Sequence, residues 1–72
     1  MVTLRNICFT LNNHSNNEYN YILALDIFKY VVVGKEIGEE GTPHLQGYGT
    51  LTSQMRFNKV KKLMPRCHIE PR

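Results

Sequence analysis

Six short segments with regular patterns follow one another along this chain, and their order limits the folds that it can adopt. Residues 5–11 alternate apolar and polar side chains, which is typical of a β-strand. Residues 28–34 form a second, β-branched run, residues 44–51 alternate again in "HLQGYGTL", and "RCHIEPR" can begin a fourth strand. Because the chain has only 72 residues, these strands must share one small core in a single domain.

Helical patterns occupy the gaps before the second and the fourth strand. Ser15 and Glu18 have the S-x-x-E spacing of a capping box, so we expect a helix from about Asn16 to Asp26. The segment "TSQMRFNKVKKLMP" carries apolar residues at helical spacing and ends at a proline. Thr52 or Ser53 is its expected N-cap.

The order of these elements is β-α-β-β-α-β. It predicts an α+β fold, a ferredoxin-like antiparallel sheet with both helices on one face, that takes in residues 1–72. The other face is expected to be open, and RNA-recognition domains of this architecture use such a face for binding. Gly47 and Gly49 fall on the covered face, where they would let another backbone or a helix approach closely.

Charge and composition exclude some classes of protein and leave others open. The net charge is +3, and acidic residues concentrate in "KEIGEEG". Five of the nine basic residues lie in one short segment: Arg56, Lys59, Lys61, Lys62 and Arg66. This pattern fits a polyanion contact near a cation site, or simply two solvated surfaces of opposite sign. No apolar run approaches the ~20 residues that a membrane span needs, and the two distant cysteines favour free thiols.

His44 and Gln46 are the residues whose spacing suggests chemistry. A strand directs every second side chain to the same face, so these two point together. Glu36 follows the second strand and should lie near His44, although Glu39 and Glu40 in the same loop are alternatives. One carboxylate, one imidazole and one amide oxygen suit Mg²⁺ or Mn²⁺ rather than structural zinc. The alternative is that His44 and Gln46 are solvated polar residues.

Several ordered motifs resemble one known family. "FTLNN" (residues 9–13) and "TPHLQG" (residues 42–47) resemble the first two motifs of the replication-initiator (Rep) HUH-type endonucleases of circular single-stranded DNA viruses. Glutamine replaces the second histidine of the family's histidine–hydrophobic–histidine pattern. "YVVVGKE" and "FNKVKKLMPRCHIE" are also similar to circovirus-type and nanovirus-type sequences, in order and at near-family spacing. The resemblance covers residues 5–70 and is to the N-terminal part of these proteins, so residues 1–72 are expected to be the N-terminal part of a Rep endonuclease domain, without the family's helicase domain.

This resemblance implies a function and a set of site residues. The family initiates rolling-circle replication by metal-dependent, site-specific nicking and joining of single-stranded DNA at an origin stem-loop, through a 5′-phosphotyrosine. By resemblance, Glu36, His44 and Gln46 carry Mn²⁺ or Mg²⁺. The residues that it implies in DNA binding are Phe9, Thr10, Leu11, Asn12 and Asn13, and the basic side of the second helix adds Arg56, Lys59, Lys61 and Lys62. Core packing is the alternative for Phe9, a chain turn for the asparagines and simple solvation for the lysines.

The family's nucleophile is a tyrosine in a Y-x-x-K motif, and none of the four tyrosines here has a lysine three residues on. Tyr19, Tyr21, Tyr30 and Tyr48 are therefore expected to be structural, and this chain is expected to bind metal and DNA without nicking. A fragment of a longer initiator is the preferred explanation, and a natural short product is the other.

Two other functions compete with that of an endonuclease. The chain could be a catalytically inactive binder of single-stranded nucleic acid, or an interaction module without a ligand. By resemblance, the location is the host nucleus, and full-length members can oligomerise.

Overall fold

The fold is a four-stranded antiparallel sheet with two helices, and the computed structural model describes residues 3–72. The elements are β1 (Thr3–Asn12), α1 (Asn16–Ala24), β2 (Phe28–Ile37), β3 (Pro43–Arg56), α2 (Phe57–Leu63) and β4 (His68–Pro71). The strands lie in the order β2-β3-β1-β4, and every neighbouring pair is antiparallel. This confirms the predicted α+β, ferredoxin-like arrangement. Among residues 3–72, neither helix is long and apolar enough to cross a membrane.

The hydrophobic core lies between one face of the sheet and the two helices. Alternate residues of the central strands β1 and β3 point into it and are almost fully buried, and one face of each helix packs onto them. The core includes Ile7, Phe9 and Leu11 of β1, Leu45 and Leu51 of β3, Ile22 of α1, Val60 of α2, and Met64. Because both helices cover this face, the polar residues that alternate with the core residues lie on the other, open face.

The glycines of β3 make room for aromatic rings. A Cβ atom on Gly47 would lie 2.1 Å from the Phe9 ring, and one on Gly49 would lie 2.5 Å from the Phe28 ring. The two rings are neighbours, with centroids 6.2 Å apart. The glycines thus serve the close packing of Phe9 and Phe28, which corrects the expectation that a backbone or a helix approaches there.

The N-terminus of α1 is formed as the sequence predicts. The Ser15 hydroxyl accepts a hydrogen bond from the Glu18 backbone N–H, and the Glu18 carboxylate accepts one from the Ser15 N–H. This confirms the capping box. The helix ends at Ala24, two residues before the predicted end at Asp26.

The start of α2 was predicted wrongly. Thr52 and Ser53 are not caps, because β3 continues through them to Arg56. The extra residues are held by pairing: Met55 and Arg56 pair with the start of β1, and the Thr52 N–H donates to the carbonyl of Ile27. Helix α2 begins only at Phe57, with Arg56 as an N-cap that makes no side-chain capping bond.

Candidate metal and nucleic-acid site

The register of the sheet places polar side chains in rows across the open face. His44 on β3 pairs with Glu36 on β2 and with Asn12 on β1. In the next row, Gln46 pairs with Gly34 on one side and Thr10 on the other. Directly paired residues of antiparallel strands point to the same face, so these side chains form one continuous polar surface.

Glu36 and His44 are in direct contact. The Glu36 Oε1 atom lies 2.9 Å from Nε2 of His44, and more than half of the Glu36 side chain is exposed. The sequence suggested that Glu36 follows the end of its strand, but β2 continues to Ile37 and Glu36 lies within it. Its strand position, directly opposite His44, is what brings the two groups together.

The two other acidic residues of this region lie farther along the hairpin. Glu39 and Glu40 are exposed in the turn between β2 and β3. The turn is closed by backbone hydrogen bonds from Gly38 to Thr42 and from Gly41 to Gly38, and Gly41 has φ +82°. This geometry favours Glu36 as the carboxylate that accompanies His44.

Gln46 is the third member of the group, and its amide is oriented by a neighbour. The Thr10 hydroxyl donates a 3.0 Å hydrogen bond to Oε1 of Gln46. An amide oxygen has two lone pairs, so the same atom retains capacity for one further contact. Thr10 is therefore adjacent to the candidate ligands and fixes one of them.

The chemistry of these donors fits a hard divalent cation. A carboxylate oxygen, an amide oxygen and one imidazole nitrogen are ligands that Mg²⁺ and Mn²⁺ accept, with water completing the shell. Within residues 3–72, no three His, Cys, Asp or Glu side chains converge to form a metal site. An ion held beside Glu36 and His44 would therefore need a third protein ligand of another type, and the Gln46 amide is the predicted one.

The "FTLNN" segment presents only some of its residues to the open face. Phe9 and Leu11 are almost completely buried in the core, so their side chains cannot contact DNA directly, which corrects the prediction for these two residues. Thr10 and Asn12 lie on the open face, and Asn13 has the left-handed φ of +55°. The candidate contacts of this segment are thus Thr10, Asn12 and Asn13.

The basic residues of α2 lie elsewhere. The helix packs through Val60 onto the covered face of the sheet, so it stands on the opposite side from His44. Lys59 and Lys62 are exposed, whereas the Lys61 ammonium donates to the backbone carbonyl of Cys67. Arg56 is exposed where β3 meets α2. The structure does not bring these cations to the polar rows of the open face.

Three features of the site region were missed by the sequence reasoning. Tyr30 and Val32 expose more than half of their surface on the open face, beside Tyr48. His68 lies in the same row as Thr10 and Gln46, with its Nε2 3.0 Å from Glu70 Oε1. Strand alternation could have placed all of these side chains. The third feature is the pair of contacts that Arg66 makes with Glu18 and Asn12. These residues precede it by 48 and 54 positions, so no local pattern signals the contacts.

Glu18 and Cys67 are ionisable groups whose pKa values the fold shifts. The Ser15 backbone N–H, followed by the Arg66 guanidinium, lowers the pKa of the Glu18 carboxyl. Burial raises the pKa of the Cys67 thiol. Glu18 therefore remains a carboxylate through the neutral range, and Cys67 remains a thiol.

Known proteins include one family whose sequence pattern matches almost the whole chain. The sequence profile of the family described as "Putative viral replication protein" matches residues 4–72. The chain belongs to this family. Individual members that it resembles include the replication-associated proteins of Beak and feather disease virus (48% identical over 68 residues) and Porcine circovirus 1 (52% over 66 residues). The master replication protein of Subterranean clover stunt virus is 37% identical over 65 residues.

The matches cover most of this chain but a small part of each relative. They take in 92%, 86% and 90% of the chain in these three family members, yet only 24%, 21% and 21% of the relatives themselves. The chain therefore spans about a quarter or less of the length of these curated family members. Both motifs of the polar rows, "FTLNN" and "TPHLQG", lie inside the matched region.

Proposed function

We propose that this chain acts in rolling-circle replication as the metal- and DNA-binding part of an endonuclease that nicks and rejoins single-stranded origin DNA. The observation that supports this most strongly is the grouping of Glu36, His44 and Gln46 on the open face. A basic surface without such a group would suit many binding proteins. A carboxylate, an imidazole and an oriented amide beside exposed asparagines suit a metal-assisted reaction at a phosphate.

Each residue of the group has a proposed part in this reaction. When bound, Mn²⁺ or Mg²⁺ would polarise the scissile phosphate and stabilise negative charge on its oxygens. Glu36 and His44 would hold the ion from adjacent strands, and the Gln46 amide oxygen, which accepts a hydrogen bond from Thr10, would be the third ligand. Asn12, paired with His44, would donate hydrogen bonds to the DNA beside the reacting phosphate.

The nucleophile in the proposed reaction is a tyrosine hydroxyl. Its oxygen forms a bond to phosphorus while the bond to the 3′ oxygen breaks, giving a 5′-phosphotyrosine and a free 3′-OH. The four tyrosines of this chain lack the Y-x-x-K context, and their structural positions are on α1 and on β2 and β3. We therefore propose that the tyrosine comes from outside residues 1–72 and that the 72-residue chain binds DNA without cutting it.

The same tyrosine pattern favours a second candidate, a catalytically inactive binder of single-stranded nucleic acid. Its open face offers the exposed Tyr30 and Tyr48 rings, and aromatic rings are platforms on which bases stack. In both cases the proposed ligand is single-stranded DNA of an origin stem-loop, and the proposed place of action is the host nucleus. The two candidates differ in whether a supplied tyrosine restores cleavage.

A cleavage assay tests the proposal and separates the two candidates. A labelled origin-like single strand is incubated with Mn²⁺ and either the 72-residue chain or the same chain joined after Arg72 to a segment that carries Y-x-x-K. We expect binding without cleavage by the first protein, and cleavage with a covalent protein–DNA adduct by the second.

His44→Ala in the joined protein should abolish cleavage. A joined protein that binds but never cuts would favour the inactive binder, and an adduct on the 72-residue chain would contradict the proposed source of the nucleophile.

A further inference from the structure

One guanidinium group ties the end of β1 to the start of α1. Arg66 precedes β4, and its Nη1 atom donates to the Glu18 carboxylate at 2.6 Å while Nη2 donates to the backbone carbonyl of Asn12 at 2.8 Å. The same Glu18 carboxylate accepts the Ser15 backbone N–H. A single side chain thus holds both ends of the four-residue turn that runs from Asn12 to Ser15.

This turn is also attached to the strand that carries His44. Asn12 is the paired residue of His44, and the Asn13 N–H donates a 2.7 Å bond to the carbonyl of Pro43. Asn13 takes a left-handed conformation, which asparagine tolerates better than most residues. The conformation of the turn therefore determines where the side chains of Asn12 and Asn13 stand relative to His44.

We propose that Arg66 is a positioning residue for DNA binding: it fixes the turn at residues 12–15 so that Asn12 and Asn13 meet the DNA next to His44. The inference rests on the proposed function, because it assumes that these asparagines contact DNA. Arg66 acts through Asn12 and Glu18 and does not itself bind the phosphate. Its guanidinium is bound to a carboxylate and to a backbone carbonyl, and these two contacts attach it to the turn.

Arginine is suited to this role in a way that lysine is not. The planar guanidinium presents several donors in fixed directions and can serve two acceptors at once, whereas an ammonium group is a single point charge on a flexible stem. Arg66→Lys keeps the charge and should lose the double contact. If Arg66 were merely a source of positive charge, this substitution would change little.

The test measures binding of a short fluorescein-labelled single-stranded oligonucleotide by anisotropy, with Mn²⁺ and at several salt concentrations. The variants are Arg66→Lys, Arg66→Gln, Glu18→Gln and the double variant, and Lys29→Gln, an exposed lysine of β2, is the matched control for loss of one charge. Glu18→Gln keeps an oxygen to accept the Ser15 N–H, so α1 retains its cap. We expect each Arg66 variant and Glu18→Gln to weaken binding about five- to tenfold, and the double variant to be no weaker than the worse single one.

The dependence on salt separates positioning from a direct phosphate contact. A direct contact by Arg66 would lower the slope of log K against log salt by about one unit in Arg66→Gln, and freeing Arg66 by Glu18→Gln would tighten binding. Positioning predicts an unchanged slope and weaker binding in Glu18→Gln. Tighter or wild-type binding by Glu18→Gln, or a changed slope in Arg66→Gln, would overturn the inference.

A second readout does not require DNA. The Asn13 N–H donates to the carbonyl of Pro43, and its hydrogen exchange should be faster in Arg66→Lys and Glu18→Gln than in the wild type and Lys29→Gln. Exchange of the core amides of β3 should be the same in all of these proteins. An Asn13 amide that exchanges at the wild-type rate in these variants would overturn the inference. Failure of the wild-type chain to bind DNA would instead overturn the proposed function, and the exchange measurement would still show whether Arg66 holds the turn.

Discussion

His44 Nε2 lies 2.9 Å from Glu36 Oε1, across the two strands of the hairpin that carries the candidate site. Both groups lie on the open face, and Gln46 lies two residues beyond His44 on β3. A cation that binds here would replace the direct contact between imidazole and carboxylate by two metal–ligand bonds. The proposed site would thus use two side chains that the hairpin already holds together.

Removal of the imidazole should remove metal binding. His44→Ala is expected to lose most of the Mn²⁺-dependent rise in melting temperature, because it removes one of the three proposed protein ligands and ligand binding stabilises only the folded state. Differential scanning fluorimetry across a Mn²⁺ titration measures this. The control is His68→Ala, which removes an exposed histidine of the same face that faces Glu70 instead of Glu36. Equal loss in both variants would show that Mn²⁺ binds no particular histidine.

Gly47→Ala should destabilise the fold, because its new methyl group would overlap the Phe9 ring, 2.1 Å away. Overpacking of this kind costs about 1–3 kcal/mol, measurable as a lower midpoint in urea denaturation. Gly34→Ala is the matched control on β2, since the nearest atom to its methyl group is 3.8 Å away. A Gly47→Ala chain as stable as Gly34→Ala would contradict the close packing of the Phe9 ring on Gly47.

The Glu18 carboxyl should contribute to stability at neutral pH and lose that contribution in acid. Its pKa is lowered in the fold, first by the Ser15 backbone N–H and then by Arg66, so its stabilising effect is fully present above the unfolded value of 4.5. The effect disappears as the pH falls through the lower, folded pKa. Urea midpoints measured from pH 7 to pH 2 should therefore fall less steeply in acid for Glu18→Gln than for the wild type. Parallel curves would contradict the assignment.

The two cysteines should differ in reactivity. Cys67 is buried in the core and burial raises its pKa, so it remains an inaccessible thiol, whereas Cys8 is half-buried. Brief treatment of the native chain with iodoacetamide should leave Cys67 unmodified, and denaturation in urea should expose it. Peptide mass spectrometry locates the label. Rapid labelling of Cys67 in the native chain would contradict its burial.

The strands and the open face could be predicted from the sequence because alternation of side chains is a local property. Leu45, Gly47 and Leu51 face the core and His44 and Gln46 face away from it, as the period of two predicts. The capping box of Ser15 and Glu18 is equally local. These signals need no knowledge of the rest of the chain.

The remaining features depend on pairing between distant residues. Residues 52–56 resemble the start of a helix, but Met55 and Arg56 find partners on β1 and extend the strand. Glu36 lies within β2 because its backbone pairs with His44. Arg66 contacts Glu18 and Asn12, which lie 48 and 54 positions before it in the chain. A prediction from local pattern misses such contacts because tertiary pairing overrides local propensity.

The position of bound Mn²⁺ decides whether Glu36, His44 and Gln46 form a metal site. Manganese is paramagnetic, so substoichiometric Mn²⁺ added to the isotopically labelled chain should broaden the NMR signals of the residues nearest the ion. We predict that Glu36, His44 and Gln46 lose intensity first, with Thr10 and Asn12 next. First broadening at Glu39 and Glu40, or uniform broadening along the chain, would contradict a metal site on the open face.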